Sequence, residues 1–106
     1  MKPSLILCVL GLSLTAPTIH ASQDLADKNG CSGCHVMSRK TVGPGIQQIA
    51  QKYAGQKDAQ AKLFDKVKNG GGGAWHGVWG GVPMPPNSDV GDKDLNAILA
   101  WMLEQK

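Results

Sequence analysis

The sequence predicts an all-α fold of about four helices, without a convincing strand. Apolar residues recur in several segments at the i, i+3, i+4, i+7 spacing of one helix face, and no segment shows the strict alternation of a half-buried strand. Glycines and prolines are concentrated between residues 70 and 91, where they interrupt the helical pattern. A chain of 106 residues corresponds to one small domain.

The first two helices are predicted from a capping residue and from apolar spacing. Ser22 is a candidate N-cap for a short helix over residues 23–31, which runs into the first of two closely spaced cysteines. A second helix is predicted over residues 45–54. Four residues form its apolar face: Ile46, Ile49, Ala50 and Tyr53.

The last two helices carry clearer start and stop signals. Asp58 is placed to begin the third helix, and Asn69-Gly70 is its stop signal. Gly91 is an acceptable N-cap for the fourth, and the acidic Asp92 suits the positive start of that helix. The residues predicted to face inward are Leu63, Phe64 and Val67 in the third helix and Leu95, Ile98, Leu99 and Met102, with Trp101 beside them, in the fourth.

Residues 1–21 have the pattern of a secretory signal peptide. Lys2 supplies the positive charge, and residues 5–14 form an apolar run that is too short to span a membrane as a helix. A cleavage site of small residues ends near Ala21, and we expect the signal peptidase to cut after that residue. The domain would then comprise residues 22–106, exported to the periplasm and without stable insertion in the membrane.

The charge pattern gives no sign of nucleic-acid binding. The formal net charge is +3, and the basic residues are scattered along the chain rather than gathered in a run. A modest positive face could still steer an acidic partner. The scattered basic residues are Lys28, Arg39, Lys40, Lys52, Lys57, Lys62, Lys66 and Lys68.

Residues 31–35 read Cys-Ser-Gly-Cys-His, which is the attachment signature of c-type haem. Two thiols at this spacing can each bond one vinyl group on the same porphyrin edge, and the adjacent imidazole is then placed under the iron. Cys31 and Cys34 are therefore predicted thioether anchors, and His35 the proximal iron ligand. A zinc site needs four ligands and a thioredoxin-like pair lies near a βαβ pattern, whereas the sequence has no second C-x-x-C and no such pattern.

Met84 is the leading candidate for the second axial position of the iron. It lies among Pro83, Pro85 and Pro86, whose rings stiffen the backbone and present one side chain at a fixed place. A thioether ligand favours ferrous iron and raises the reduction potential. His76, in the glycine-rich part of the same connection, is the rival ligand.

Beyond the haem motif, further segments occur in a characteristic order over nearly all of residues 23–106. They are Val42-Gly43-Pro44-Gly45, Lys68-Asn69-Gly70, Val78-Trp79-Gly80, Val82-Pro83-Met84-Pro85-Pro86-Asn87 and a final helix with Trp101. In these features the chain resembles the small bacterial class I c-type cytochromes, the short periplasmic form with one haem. The resemblance implies four helices around one covalently attached haem c, and a respiratory electron carrier that is monomeric.

The resemblance also implies roles for individual residues. Pro44 would offer its carbonyl to the second nitrogen of His35, and Trp79 would donate its indole hydrogen to a haem propionate. Asn87 would lie near the sulfur of Met84. Redox proteins such as a terminal oxidase or a nitrite reductase would be the partners.

Two other functions remain open from the sequence. A haem enzyme or gas sensor would need a displaceable sixth ligand and a catalytic acid or base, for which His76 is the one candidate. A zinc or dithiol protein without haem would use Cys31 and Cys34 as free thiolates. The export signal, the lone C-x-x-C and the proline frame around Met84 argue against the protein without haem.

Overall fold

The computed structural model describes residue 11, residues 19–71 and residues 82–106. Within these residues the chain forms four α-helices and no strand, which confirms the predicted fold class. The helices are α1 (Ile19–Lys28), α2 (Ile46–Lys52), α3 (Ala59–Asn69) and α4 (Asp92–Leu103). A short 3₁₀ turn, Cys31–Gly33, follows α1.

The prediction for the first helix was wrong at both ends. The helix begins at Ile19, so Ser22 lies inside it rather than at its N-cap. It ends at Lys28 because Gly30 adopts φ +79°, a conformation that stops a right-handed helix and turns the chain. The cysteine motif therefore starts in a separate turn instead of continuing the helix.

The other three helices lie within a few residues of their predicted bounds. Asp58 and Gly91 occupy the N-cap positions of α3 and α4, as predicted. The backbone N–H groups of Ile46 and Gln47, which have no partner inside α2, donate to Val36 O at 2.8 Å and Met37 O at 2.9 Å. These two bonds join the start of α2 to the segment that follows the cysteine motif.

Helix α4 lies at the centre of the core. Leu95, Ile98 and Leu99 are each only 1% exposed, and α4 packs against α1, α2 and α3. At the crossing of α1 and α4 the small Ala26 is also 1% exposed and shares a core cluster with Trp101. A small side chain thus fills this crossing without an aromatic residue from α1.

No helix among the described residues is long and apolar enough to cross a membrane. The predicted signal segment, residues 1–21, lies mostly outside the described residues, so its cleavage remains a prediction.

Shortening a buried side chain of α2 should destabilise the protein in proportion to the volume removed. Ile46 is 4% exposed. We expect Ile46→Ala to lower the free energy of unfolding by about 2–5 kcal/mol, and Ile46→Val by about 0.5–1.5 kcal/mol. Urea unfolding followed by far-ultraviolet circular dichroism measures both values. A loss below about 0.5 kcal/mol for Ile46→Ala would show that this side of the core repacks freely.

Candidate functional site

An apolar cavity of about 200 Å³ brings together the predicted site residues that lie in the described part of the chain: Cys31, Cys34, His35, Pro44, Met84 and Asn87. Its wall includes the inner faces of α3 and α4, together with the cysteine motif and the segment around Met84. Lys66 is the only lysine or arginine among the described residues of the lining. Four potential bonding groups line the cavity: the thiols of Cys31 and Cys34, the imidazole of His35 and the thioether of Met84.

The cysteine motif is held in a compact turn by its own backbone. Gly33 N–H donates to Gly30 O at 3.3 Å, and both Cys34 N–H and His35 N–H donate to Cys31 O, at 3.2 Å and 2.9 Å. The turn follows directly from the positive φ of Gly30. Both cysteines are half-buried and unpaired, and they contribute to the same cavity wall.

Burial raises the pKa of the Cys31 thiol, because the apolar surroundings disfavour a thiolate. A hydrogen bond from its own backbone opposes this effect, while the nearby Asp27 and Cys34 add to it. Before it is bonded to another group, the Cys31 sulfur is therefore a neutral thiol at neutral pH, which suits an apolar wall.

A loop from residue 36 to residue 45 returns to the cysteine motif and is fixed there. The carbonyl oxygen of Cys34 accepts two hydrogen bonds, from Thr41 Oγ1 and from Gly43 N–H, both at 2.9 Å. Sequence reasoning did not single out Thr41. A hydroxyl residue shortly after a cysteine motif is too common a pattern to reveal this contact.

The His35 ring is oriented by one hydrogen bond and by one close backbone approach. Its Nδ1 lies 2.8 Å from Pro44 O, so Nδ1 carries the hydrogen and donates it to the carbonyl. That tautomer leaves a lone pair on Nε2 for a metal. A Cβ at Gly43 would lie 2.5 Å from His35 Cε1, so only glycine leaves room for the ring.

Met84 is held by an isolated antiparallel bridge to Gly71. Gly71 N–H donates to Met84 O at 2.8 Å, and Met84 N–H donates to Gly71 O at 3.3 Å. Gly70 comes close to the same segment, since a Cβ there would lie 2.5 Å from Met84 O. The two glycines that directly follow α3 thus hold the backbone of Met84.

The remaining predicted site residues have different outcomes. Asn87 lines the cavity, and its side-chain amide donates to Pro85 O at 2.9 Å. Its backbone N–H donates to Val67 O at 2.8 Å, a further tie to α3. Trp79 and His76 lie outside the described residues, as does the connection over residues 72–81.

The donor set and the cavity fit haem c. Two thiols lie three positions apart on one wall, an imidazole with its Nε2 available lies beside them, and the rest of the lining is largely apolar. A flat apolar porphyrin needs apolar walls and a few placed ligands. The fold and this site together define a small helical protein built around a covalently held haem.

The comparisons with known proteins agree with this class. The family model for cytochrome c matches residues 19–106. The chain is 45% identical over 93 residues to cytochrome c-552 of Nitrosomonas europaea, covering 88% of this chain and 86% of the relative. It is 42% identical over 106 residues to cytochrome c-552 of Hydrogenobacter thermophilus, covering all of both chains.

A solved structure gives the same result for the fold. The crystal structure of wild-type Nitrosomonas europaea cytochrome c552 superposes with a TM-score of 0.70 at 46% identity, covering 79% of this chain and 99% of that chain. The chain belongs to the cytochrome c family, of the small class I type. It carries one covalently attached haem c and functions in electron transport, as the sequence predicted.

Adding a methyl group at Gly70 should disturb the Met84 segment. Gly70 has φ +70° and ψ −159°, a region that is essentially restricted to glycine. We expect Gly70→Ala to cost at least about 1–3 kcal/mol from the backbone conformation alone, with a further cost from the clash with Met84 O. Thermal unfolding of the haem-loaded protein measures the loss.

Gly55→Ala is the matched control for this variant. Gly55 also has a positive φ, +77°, but a Cβ there meets nothing within 4 Å. It should therefore incur the cost of the backbone conformation, about 1–2 kcal/mol, without a clash. Equal losses for the two variants would show that the close approach to Met84 does not matter.

Proposed function

We propose that this protein is a periplasmic one-electron carrier whose haem is bonded to Cys31 and Cys34 and closed by His35 and Met84 as axial ligands. The observation that carries the proposal is that these four side chains line one cavity. Bound haem c supplies one-electron cycling between Fe(III) and Fe(II). No bond of a substrate is made or broken.

His35 is prepared for its proposed role by the Pro44 carbonyl. The hydrogen bond from Nδ1 fixes both the ring orientation and the tautomer, and it makes Nε2 a better donor. Proton exchange at Nδ1 is not required in either oxidation state. The ring can therefore keep one position during a redox cycle.

Met84, which lines the same cavity, would supply a soft sulfur ligand. A thioether stabilises ferrous iron relative to ferric iron and so raises the reduction potential. The bridge to Gly71 holds the Met84 backbone in place. With both proposed ligands tied to backbone, little rearrangement accompanies the gain or loss of an electron.

The proposed partners are other redox proteins of the respiratory chain, such as a terminal oxidase or a nitrite reductase, which bind briefly to the monomer. Two large apolar side chains of the lining are exposed, Val42 at 49% and Val82 at 67%. An exposed apolar edge beside the cavity suits a small, transient interface. The proposed contact of Trp79 with a propionate falls outside the described residues.

Replacing Met84 tests the proposed axial ligand. We expect Met84→Ala to lose the weak sulfur-to-iron charge-transfer band of the ferric protein and to lower the reduction potential, because the thioether no longer stabilises ferrous iron. Visible spectra and a redox titration measure both. Met102→Leu is the matched control, since Met102 also lines the cavity but lies on the buried face of α4.

Other outcomes of this experiment identify the alternatives. A band that persists in Met84→Ala would exclude Met84 as the ligand. If His76→Ala removes the strong-field spectrum instead, the iron has two histidine ligands. Carbon monoxide binding to the unmodified ferrous protein at neutral pH would favour an enzyme or a gas sensor.

The predicted signal peptide is tested by the N-terminus of the exported protein. Periplasmic protein from cells that attach haem should begin at Ser22 and carry the added mass of one haem. Mass spectrometry of the intact protein measures both features. Lys2→Glu is expected to slow export, since it reverses the charge before the apolar run. An intact Met1 on the periplasmic protein would disprove cleavage after Ala21.

A further inference from the structure

We infer that Lys68 is a positioning residue for Met84: its ammonium group fastens the segment that follows Met84 to helix α3 and so keeps the sixth position of the iron closed. The inference rests on the proposed ligation by Met84. Lys68 does not line the cavity, and no part of the proposed haem binding requires it. Its effect on the iron would be indirect, through the backbone of residues 87–91.

The contacts of Lys68 converge on that segment. Its Nζ donates to Val90 O and, at 3.5 Å, to Ser88 O. It also lies 2.9 Å from Asp92 Oδ1, at the start of α4. One cation therefore joins the last turn of α3 to the chain between Met84 and α4.

The surroundings of Lys68 make its hydrogen bond to Val90 O stronger than an ordinary surface contact. Its side chain is 20% exposed, and Nζ lies 5.6 Å from the centroid of the Phe64 ring. Hydrogen bonds from a partly desolvated ammonium to carbonyl oxygens are among the stronger ones in proteins. The Asp92 side chain, by contrast, is 78% exposed, so the ion pair itself contributes little.

Lys68 acts together with backbone hydrogen bonds at Met84 and after it. Asn87 N–H donates to Val67 O three residues after Met84, while Gly71 bridges to Met84 itself. Lys66 Nζ also donates to Gly71 O, the carbonyl that accepts from Met84 N–H. Lys66 therefore supports the bridge at Met84, while Lys68 holds the chain that follows it.

The physical consequence concerns how often Met84 leaves the iron. The segment after Met84 must move before the sulfur can withdraw, and an external ligand binds only in that open state. The apparent affinity for such a ligand therefore scales with the open fraction. Removing the ammonium of Lys68 should increase that fraction.

The test is cyanide binding to the ferric, haem-loaded protein at fixed pH and salt. We expect Lys68→Met, which keeps an unbranched apolar stem beside Phe64, to bind cyanide about ten-fold more tightly than the unmodified protein. Lys68→Arg keeps the charge and several donors and should restore an affinity near that of the unmodified protein. Lys62→Met is the matched control, because Lys62 lies on the same helix and pairs with Asp58 on the exposed surface.

Urea unfolding of the same variants separates positioning from general stabilisation. If Lys68→Met lowers the urea midpoint but leaves the cyanide affinity within about two-fold of the unmodified protein, the inference is overturned, because the open state is then unaffected. Should Lys68→Met fail to accumulate with haem, Lys68→Gln takes its place: tighter cyanide binding supports the inference and unchanged binding overturns it.

Asp92→Asn tests whether the ion pair or the carbonyl contacts are responsible. It should leave the cyanide affinity nearly unchanged, and an effect as large as that of Lys68→Met would overturn the assignment to the carbonyl contacts.

The same measurements distinguish failure of this inference from failure of the proposed ligation. If Met84→Ala keeps the sulfur-to-iron band, the ligation by Met84 is wrong and Lys68 has no such role. If the band depends on Met84 but cyanide affinity is the same in all Lys68 variants, only the role of Lys68 is wrong.

Discussion

The apolar wall that α4 presents to the interior is the feature on which the rest of the structure depends. Leu95, Ile98 and Leu99 are almost fully buried, and they face both the other helices and the cavity. A small domain buries a smaller fraction of its surface on folding than a large one, so its stability is marginal. Haem c bonded within the cavity extends the apolar core, so the cofactor contributes to the fold as well as to electron transport.

Around that wall, backbone hydrogen bonds rather than long helices position the groups that would bond haem. The cysteine motif begins in a 3₁₀ turn, Cys31–Gly33, and the loop after it returns so that Pro44 O meets His35 Nδ1. A backbone bridge to Gly71 holds Met84. Backbone support for both residues suits a site in which the metal changes its charge while its surroundings remain in place.

Helix α3 has a larger part in this arrangement than its few buried residues indicate. Its last turns supply Val67 O and the ammonium of Lys68 to the segment after Met84, and its C-terminal Gly70 approaches Met84 O. Because these contacts join residues 14 to 22 positions apart, apolar periodicity does not reveal them. The sequence did contain Lys68-Asn69-Gly70 as a recognisable segment, but a lysine near a helix C-terminus is equally expected from the helix dipole alone.

The sequence by itself determined the fold class, helices α2 to α4, the covalent haem and the family, because these depend on local spacing: apolar residues at helical periods, two thiols and an imidazole within five residues, and motifs in a fixed order. It did not determine where α1 ends, because a left-handed Gly30 is decided by the turn that the whole motif must make. Only the tertiary structure decided how Met84 is held and which groups support it. Those contacts join segments that are far apart in the sequence and that meet only after the helices have packed.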